Sequence, residues 1–220
     1  MMNLLRLNGL SFLGLLALGA TFTRADVTVD RQPTVVERRT FDPAHRPADM
    51  PPLQGNEAAV TESKFDCKVG MDYRVLDHNR RPDGCAATLQ IRGIHIELQL
   101  KVLIWLPEHA PAKLVAHEEG HRRIAERVYA QAEQAARAIA RPIDGKRVTG
   151  DGADCAAAEK RATESTADGF CKECLRQTAT TAGRVGDVYD DLTAHGTRAE
   201  PAEDEAIRQA FQKVESEARK

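Results

Sequence analysis

The hydrophobic pattern of the chain changes its period once, and that change limits the fold more than any other feature. Apolar residues occupy every even position from 94 to 104, mostly with polar residues between them, which is the period of a strand with one buried face. From Ala112 to Arg141, between Pro111 and Pro142, apolar residues recur at the spacing of one long helix. Strands followed by helices predict an α+β fold rather than alternating β-α-β units.

The strand pattern shifts phase at Gly93. Leu89 and Ile91 are apolar at odd positions, whereas the run from Ile94 is apolar at even positions. One extra residue in a strand produces such a shift, and glycine tolerates the geometry, so we predict a β-bulge here. We expect an antiparallel, β-rich first half in which the strand 94–105 lines a cleft and pairs with an extended peptide.

The first 25 residues have the order of a secretory signal peptide. A short start containing Arg6 precedes an apolar run over 10–20, and small residues follow. We therefore predict a signal peptide over 1–25, one domain over 26–200 and a charged C-terminal helix with a thin apolar stripe over 201–220. The expected location is the periplasm or the exterior, with no membrane span left after cleavage.

Charge and composition exclude some partners. The chain has 31 Lys and Arg against 33 Asp and Glu, so it carries no basic excess that would attract a polyanion. Aromatic residues make up only 5% of the chain, too few to suggest a stacking platform for single strands. We expect no nucleic-acid partner, and the expected partner is a peptide or protein substrate.

Five cysteines behind a signal peptide indicate disulfides, but the spacing leaves their pairing open. Cys67 and Cys85 flank a turn-rich stretch and are one candidate pair. One unbroken helix from Cys155 to Cys171 would hold its ends about 24 Å apart. Either Gly169 therefore breaks that helix or Cys155 pairs elsewhere, for instance with Cys85.

A second possibility concerns the C-x-x-C at Cys171 and Cys174. Such a pair can serve thiol–disulfide exchange, and this is one alternative function for the chain. The surrounding sequence shows no thioredoxin-like β-α-β pattern. A low-pKa thiol open to alkylation would be its signature.

The chemistry-bearing motif is the pentapeptide from His117 to His121. Two histidines four positions apart project from one helix face, so both imidazoles can reach one zinc ion. Both replace apolar residues in the core-facing stripe, where unpaired polar groups would cost about 1–3 kcal/mol each. Glu118, rotated by about 100°, is placed to act as general base. Gly120 is a poor helix former and suggests that another backbone approaches closely. The alternative is two surface histidines in a charged helix.

A catalytic zinc usually has three protein ligands and an open position, and two later stretches compete to supply the third. Glu164 and Asp168 form a Glu-x-x-x-Asp that resembles the second-helix motif of thermolysin-like gluzincins. On that interpretation Glu164 binds the metal and Asp168 hydrogen-bonds a histidine. The competing stretch runs from Tyr189 to Gly196.

The pentapeptide and this late stretch together resemble a group of bacterial secreted zinc-dependent proteases classified as a domain of unknown function. Members carry a signal peptide, a β-rich first half, an H-E-x-x-H helix and a late Y-D-x-x-T-x-H-G. The chain departs from the group just after Gly196, and its C-x-x-C is unusual. The matching positions of the late motif are Tyr189, Asp190, Thr193, His195 and Gly196.

The resemblance implies a zincin-like fold, a Zn²⁺ cofactor and His195 as the third ligand. Asp190 would either orient a histidine or bind the metal itself. Tyr189 could donate its hydroxyl to the oxyanion formed during attack. The ordinary alternatives are a helix-capping role for His195 and a half-buried core position for Tyr189.

The predicted function is peptide-bond hydrolysis by a zinc-activated water, with Glu118 as general base. The alternative is a non-catalytic zinc-binding envelope or interaction module whose metal only holds helices together.

Overall fold

The computed structural model describes residues 26–219 except 54 and 56, so the signal peptide predicted over 1–25 lies outside the described residues. No helix among the described residues has the length and apolar character needed to cross a membrane. The α+β class is confirmed, because one mixed sheet packs against a set of helices and four of its five described strands precede them in the chain. The elements are β1 (Asp26–Arg31), β2 (Val35–Phe41), β3 (Val60–Arg81), β4 (Gly84–Pro107), α1 (Ala112–Ala130), α2 (Ala132–Ala140), β5 (Arg147–Gly152), α3 (Cys155–Thr193) and α4 (Glu203–Glu217).

The central strand of the sheet is β4, which pairs with all four other strands. β3 forms a long antiparallel hairpin with it and follows one edge of β4 from end to end. The other edge of β4 is shared by β5, β1 and β2 in turn. β4 therefore has no free edge along most of its length.

This topology corrects two sequence predictions. β1 and β2 pair with β4 in parallel, not antiparallel as predicted, because the chain crosses from β2 to the other edge of the sheet before β3 begins. The predicted pairing of 94–105 with a peptide is also wrong, since both edges of that strand are occupied. Among the described residues β3, like β1, β2 and β5, pairs only with β4, so its other edge is unpaired.

The predicted bulge is present and explains how β4 keeps one buried face. Register shifts between Asp72 and Tyr73, where Ile91 and Gly93 oppose successive residues and Arg92 is the extra residue. Arg92 is exposed, whereas Ile91 and Ile94 on either side of the bulge are fully buried. Leu89 and Ile91 before the bulge and the even-numbered apolar residues over 94–104 after it thus meet the helices on one face of the sheet.

The helices differ from prediction in where they break. The segment expected as one helix is divided at Gln131, whose amide donates to the carbonyl of Val128 in a tighter turn. The later segment, for which a break at Gly169 was one predicted alternative, is one 39-residue helix, α3. α4 packs on α3 and α1, and its thin apolar stripe of Ile207, Phe211 and Val214 is buried.

Two disulfides join the sheet to α3. Cys85 near the hairpin turn bonds Cys155 at the start of α3, and Cys67 in β3 bonds Cys171. The pairing of Cys85 with Cys155 was one predicted alternative, and the candidate pair of Cys67 with Cys85 is wrong. Cys174 is free and buried, and burial raises the pKa of its thiol. The C-x-x-C therefore forms no redox pair here.

Candidate metal centre

Three side chains from two helices converge on one point. His117 and His121 project from α1, and their Nε2 atoms lie 3.1 and 3.0 Å from the Oδ1 atom of Asp190 on α3. One ligand atom from each of the three residues falls within 4.8 Å of the others, so the group could hold a metal ion. His117 is 3% exposed and the side chain of His121 is 20% exposed, so the two histidines face inward as predicted.

The electrostatics of the group couple the carboxylate to the imidazoles. Burial alone would raise the pKa of Asp190, but hydrogen bonding to His117 and His121 outweighs it and lowers that pKa well below its ordinary range. Burial would lower the pKa of His121, and its contact with Asp190 raises it instead. A partly buried carboxylate that stays ionised between two imidazoles is a suitable ligand for a divalent cation.

Tyr189 supports the group from behind. Its ring stacks on His117 with centroids 4.9 Å apart and an angle of 11° between the planes. Its hydroxyl donates to the backbone carbonyl of His117 at 3.4 Å, and the residue is fully buried. The hydroxyl lies against the α1 backbone, so in this structure Tyr189 positions His117 and does not offer a proton to an oxyanion.

Gly120 makes that packing possible. A Cβ added to Gly120 would lie 2.2 Å from the hydroxyl oxygen of Tyr189. The close neighbour that the sequence suggested is therefore a side chain, not another backbone. On the other side of the group, Gly186 of α3 lies beside the ring of His121. A Cβ added to Gly186 would lie 3.5 Å from the Nδ1 atom of His121.

Gly120→Ala is expected to lower the melting temperature, although alanine is the better helix former. Overpacking against Tyr189 costs about 1–3 kcal/mol, which exceeds the gain of about 1 kcal/mol in helix propensity. The control is Gly169→Ala on α3, where an added Cβ meets no atom within 4 Å. Calorimetry should show Gly169→Ala at or above the parent, and equal melting of the two variants would contradict the prediction.

Thr193 fixes the orientation of the first histidine. It donates its hydroxyl proton to the carbonyl of Tyr189 at 2.8 Å, which leaves its oxygen as the acceptor 3.4 Å from His117 Nδ1. An imidazole that carries its proton on Nδ1 presents the Nε2 lone pair to a metal. Thr193 thus selects the tautomer that the site requires.

His195 lies within a left-handed turn at the end of α3. Ala194, His195 and Gly196 all have positive φ angles, of 46°, 53° and 74°. A Cβ on Gly196 would lie 2.8 Å from the Cβ of His117, so the turn packs directly on α1. His195 Nδ1 lies 3.6 Å from Asp190 Oδ1, and His195 also lines the cavity of about 110 Å³ that contains Glu118. It therefore stands at the edge of the group, and Asp190 supplies the third member.

Glu118 lies beside the group without belonging to it. It is 4% exposed and lines a cavity of about 110 Å³ together with His117, His121 and Asp190. Thr61 of β3 donates a hydrogen bond to its Oε2 atom at 2.7 Å. Burial raises the pKa of Glu118, and the bond from Thr61 offsets part of that increase.

The rival ligand pair is not part of this site. Glu164 is exposed and forms an ion pair with Lys160, and Asp168 is also exposed. At 1.5 Å per residue, Glu164 lies about 39 Å from Asp190 along α3. That distance excludes it from any metal group that includes His117 and His121.

Thr61 is the site residue that the sequence analysis missed. A signal was present, because Thr61 and Ser63 share the inward face of β3 with Phe65, where apolar residues are expected. Polar residues at inward positions need a buried partner. For Thr61 that partner is Glu118.

Comparison of the chain with protein-family models, with curated proteins and with solved structures found no match.

Proposed function

We propose that the chain is a zinc-dependent peptidase that acts in the periplasm or outside the cell. One observation carries the proposal: His117, His121 and Asp190 form a metal-sized group, and Glu118 is buried beside it without being a member. The two disulfides and the predicted signal peptide support an oxidising compartment.

The donor set and its neighbour favour zinc. Two imidazoles and one carboxylate are a donor set of catalytic zinc, although the same set also suits iron(II). Hydrolysis by an activated water needs a free carboxylate next to the metal, and Glu118 is such a carboxylate. We therefore assign zinc rather than iron.

Each residue of the site has a part in the proposed reaction. A bound zinc ion would polarise the substrate carbonyl and lower the pKa of a water to about 7. Glu118 takes the proton of the attacking water and passes it to the leaving amine. Thr61 holds the Glu118 carboxylate, while Tyr189 and Thr193 hold His117.

The substrate would lie along the beginning of β3. Residues 57–61 line the cavity that contains Glu118, and Thr61 belongs to both the strand and the site. Because β3 pairs only with β4 among the described residues, its other edge offers backbone groups to an extended peptide.

A second candidate is a non-catalytic zinc module. His195 favours it, because its Nδ1 atom lies 3.6 Å from Asp190 and a modest shift would supply a fourth protein ligand. A structural zinc site has four protein ligands and no open position. The two candidates therefore differ in coordination.

Zinc content and coordination test the proposal. We expect about one zinc ion per chain, bound by two imidazoles, one carboxylate and a water, as for catalytic sites. Elemental analysis and X-ray absorption at the zinc edge measure both. A third imidazole with no water would support the structural module, and a chain that retains no zinc would overturn both candidates.

A further inference from the structure

A second cavity adjoins the metal group on the side of α3. Its volume is about 240 Å³, and His121, Asp190 and Thr61 line it as well as the cavity of Glu118. We call it the β3–α3 cavity, because Ser63 and Phe65 of β3 form one wall and α3 forms another. A side chain next to the scissile bond would enter it directly.

The space exists because α3 carries small residues there. Ala179, Ala182, Gly183 and Gly186 line the cavity, and a Cβ added to Gly183 would meet no atom within 4 Å. A cavity of roughly 150 Å³ holds a benzene ring, so this one accommodates one long side chain. It is smaller than the roughly 300–1,000 Å³ of a typical small-molecule pocket.

The charged groups of the lining are acidic. Its titratable members are Asp187, Asp190 and His121, and its described lining includes no lysine or arginine. Asp190 and His121 are engaged with each other, whereas the carboxylate of Asp187 makes no hydrogen bond or ion pair with a described residue. Asp187 is exposed, so its carboxylate lies where the cavity meets solvent.

From these observations we infer that the β3–α3 cavity selects peptides with a lysine or arginine side chain next to the scissile bond. The inference rests on the proposed function and names its substrate class. The aliphatic stem of such a side chain fits beside Phe65 and Ala182, and its charged end reaches Asp187. Thr61 and Ser63 provide further polar contacts along the wall.

Binding to the Glu118→Gln variant tests the inference without turnover. The probes are alanine-based peptides with a single central lysine, methionine or alanine, titrated calorimetrically against the full chain with equimolar zinc. The lysine peptide should bind up to about fivefold more tightly than the methionine peptide, since an exposed ion pair contributes about 1 kcal/mol at most. Asp187→Asn should remove that preference, whereas Asp168→Asn, an exposed carboxylate of the same helix, should keep it.

A second variant pair tests the cavity itself. Gly183→Leu fills the space and should weaken lysine and methionine peptides by about tenfold or more, the upper part of the range for one pocket contact. The same variant should bind the alanine peptide with unchanged affinity. Gly169→Leu is the control, because Gly169 is exposed on α3 and also meets open space.

The outcomes separate this inference from the proposed function. Equal binding of lysine and methionine peptides, or no binding, would overturn the inference, and cleavage by the parent protein would still support a peptidase. Preferential binding of the lysine peptide with no cleavage by the zinc-loaded parent would support the basic-peptide cavity and overturn the peptidase. Loss of the preference in Asp168→Asn would also overturn the assignment of Asp187.

Discussion

Glu118→Gln is expected to retain zinc and to lose peptidase activity by a factor of about a thousand or more. General acid–base catalysis contributes about 10²- to 10⁴-fold, and glutamine can neither accept nor return the proton. Zinc should stay because Glu118 is not a member of the ligand group. Glutamine also preserves the size of the side chain and an oxygen that can accept the bond from Thr61.

Glu119→Gln is the matched control for this prediction. Glu119 is the next residue on α1, and its carboxylate is paired with Arg38 and Arg122 at the surface. Loss of a surface pair changes stability by about 1 kcal/mol at most, so activity should remain near that of the parent. A Glu118→Gln protein as active as the Glu119→Gln protein would show that Glu118 is not the general base.

Asp190→Asn is expected to weaken zinc binding by more than about a hundredfold. Removing a group that merely orients a ligand costs about 10- to 100-fold in metal affinity, so a larger loss identifies Asp190 as a ligand. The structure supports that role through its contacts of 3.1 and 3.0 Å with the two Nε2 atoms. Competition with a fluorescent zinc chelator measures the affinity.

His195→Ala and Asp191→Asn complete this experiment. We expect His195→Ala to weaken zinc binding by less than about a hundredfold, as the loss of a group that only orients a ligand does. Asp191→Asn, an exposed neighbour outside the cavity lining, should bind zinc as the parent does. If His195→Ala lost zinc as fully as His117→Ala while Asp190→Asn kept it, His195 would be the third ligand implied by the family resemblance.

Local patterns predicted the parts of the fold that depend on local physics. The phase shift at Gly93 located the bulge, because the alternation of a strand is set by its own pleat. The apolar stripe of α1 predicted the inward-facing positions of His117, which is buried, and His121, which is partly buried, for the same kind of reason. Strand direction has no such local signal, so the parallel pairing of β1 and β2 could not be predicted.

The breaks of the helices show tertiary contacts overriding propensity. Gly169 disfavours a helix by about 1 kcal/mol relative to alanine, and a break there was one of the two predicted alternatives. The helix continues because its other face is buried against the sheet and joined to it by Cys155 and Cys171. Gln131, with no intrinsic tendency to break a helix, lies at the actual division between α1 and α2.

The sequence indicated Asp190, the third member of the metal group, only as an alternative to His195. His195 was favoured by residue type and by the family motif, since histidine is the commoner zinc ligand. The left-handed turn at Ala194 and His195 decides where that ring lies, and such a turn depends on the packing of Gly196 against His117. The contact joins residues far apart in sequence and leaves no periodic trace.

Because β4 takes part in every strand pairing of the residues described, the topology of the sheet affects how fast the chain folds. β1 and β2 are synthesised before β4. Thr28 can therefore meet His95 only after 67 further residues have been added to the chain. Folding is slow when such long loops must close before strand pairing stabilises the chain, as in other sheets whose paired strands are far apart in sequence. Until Gly84–Pro107 is complete, the earlier strands expose unpaired backbone, so an unfinished chain is the state most in need of a chaperone.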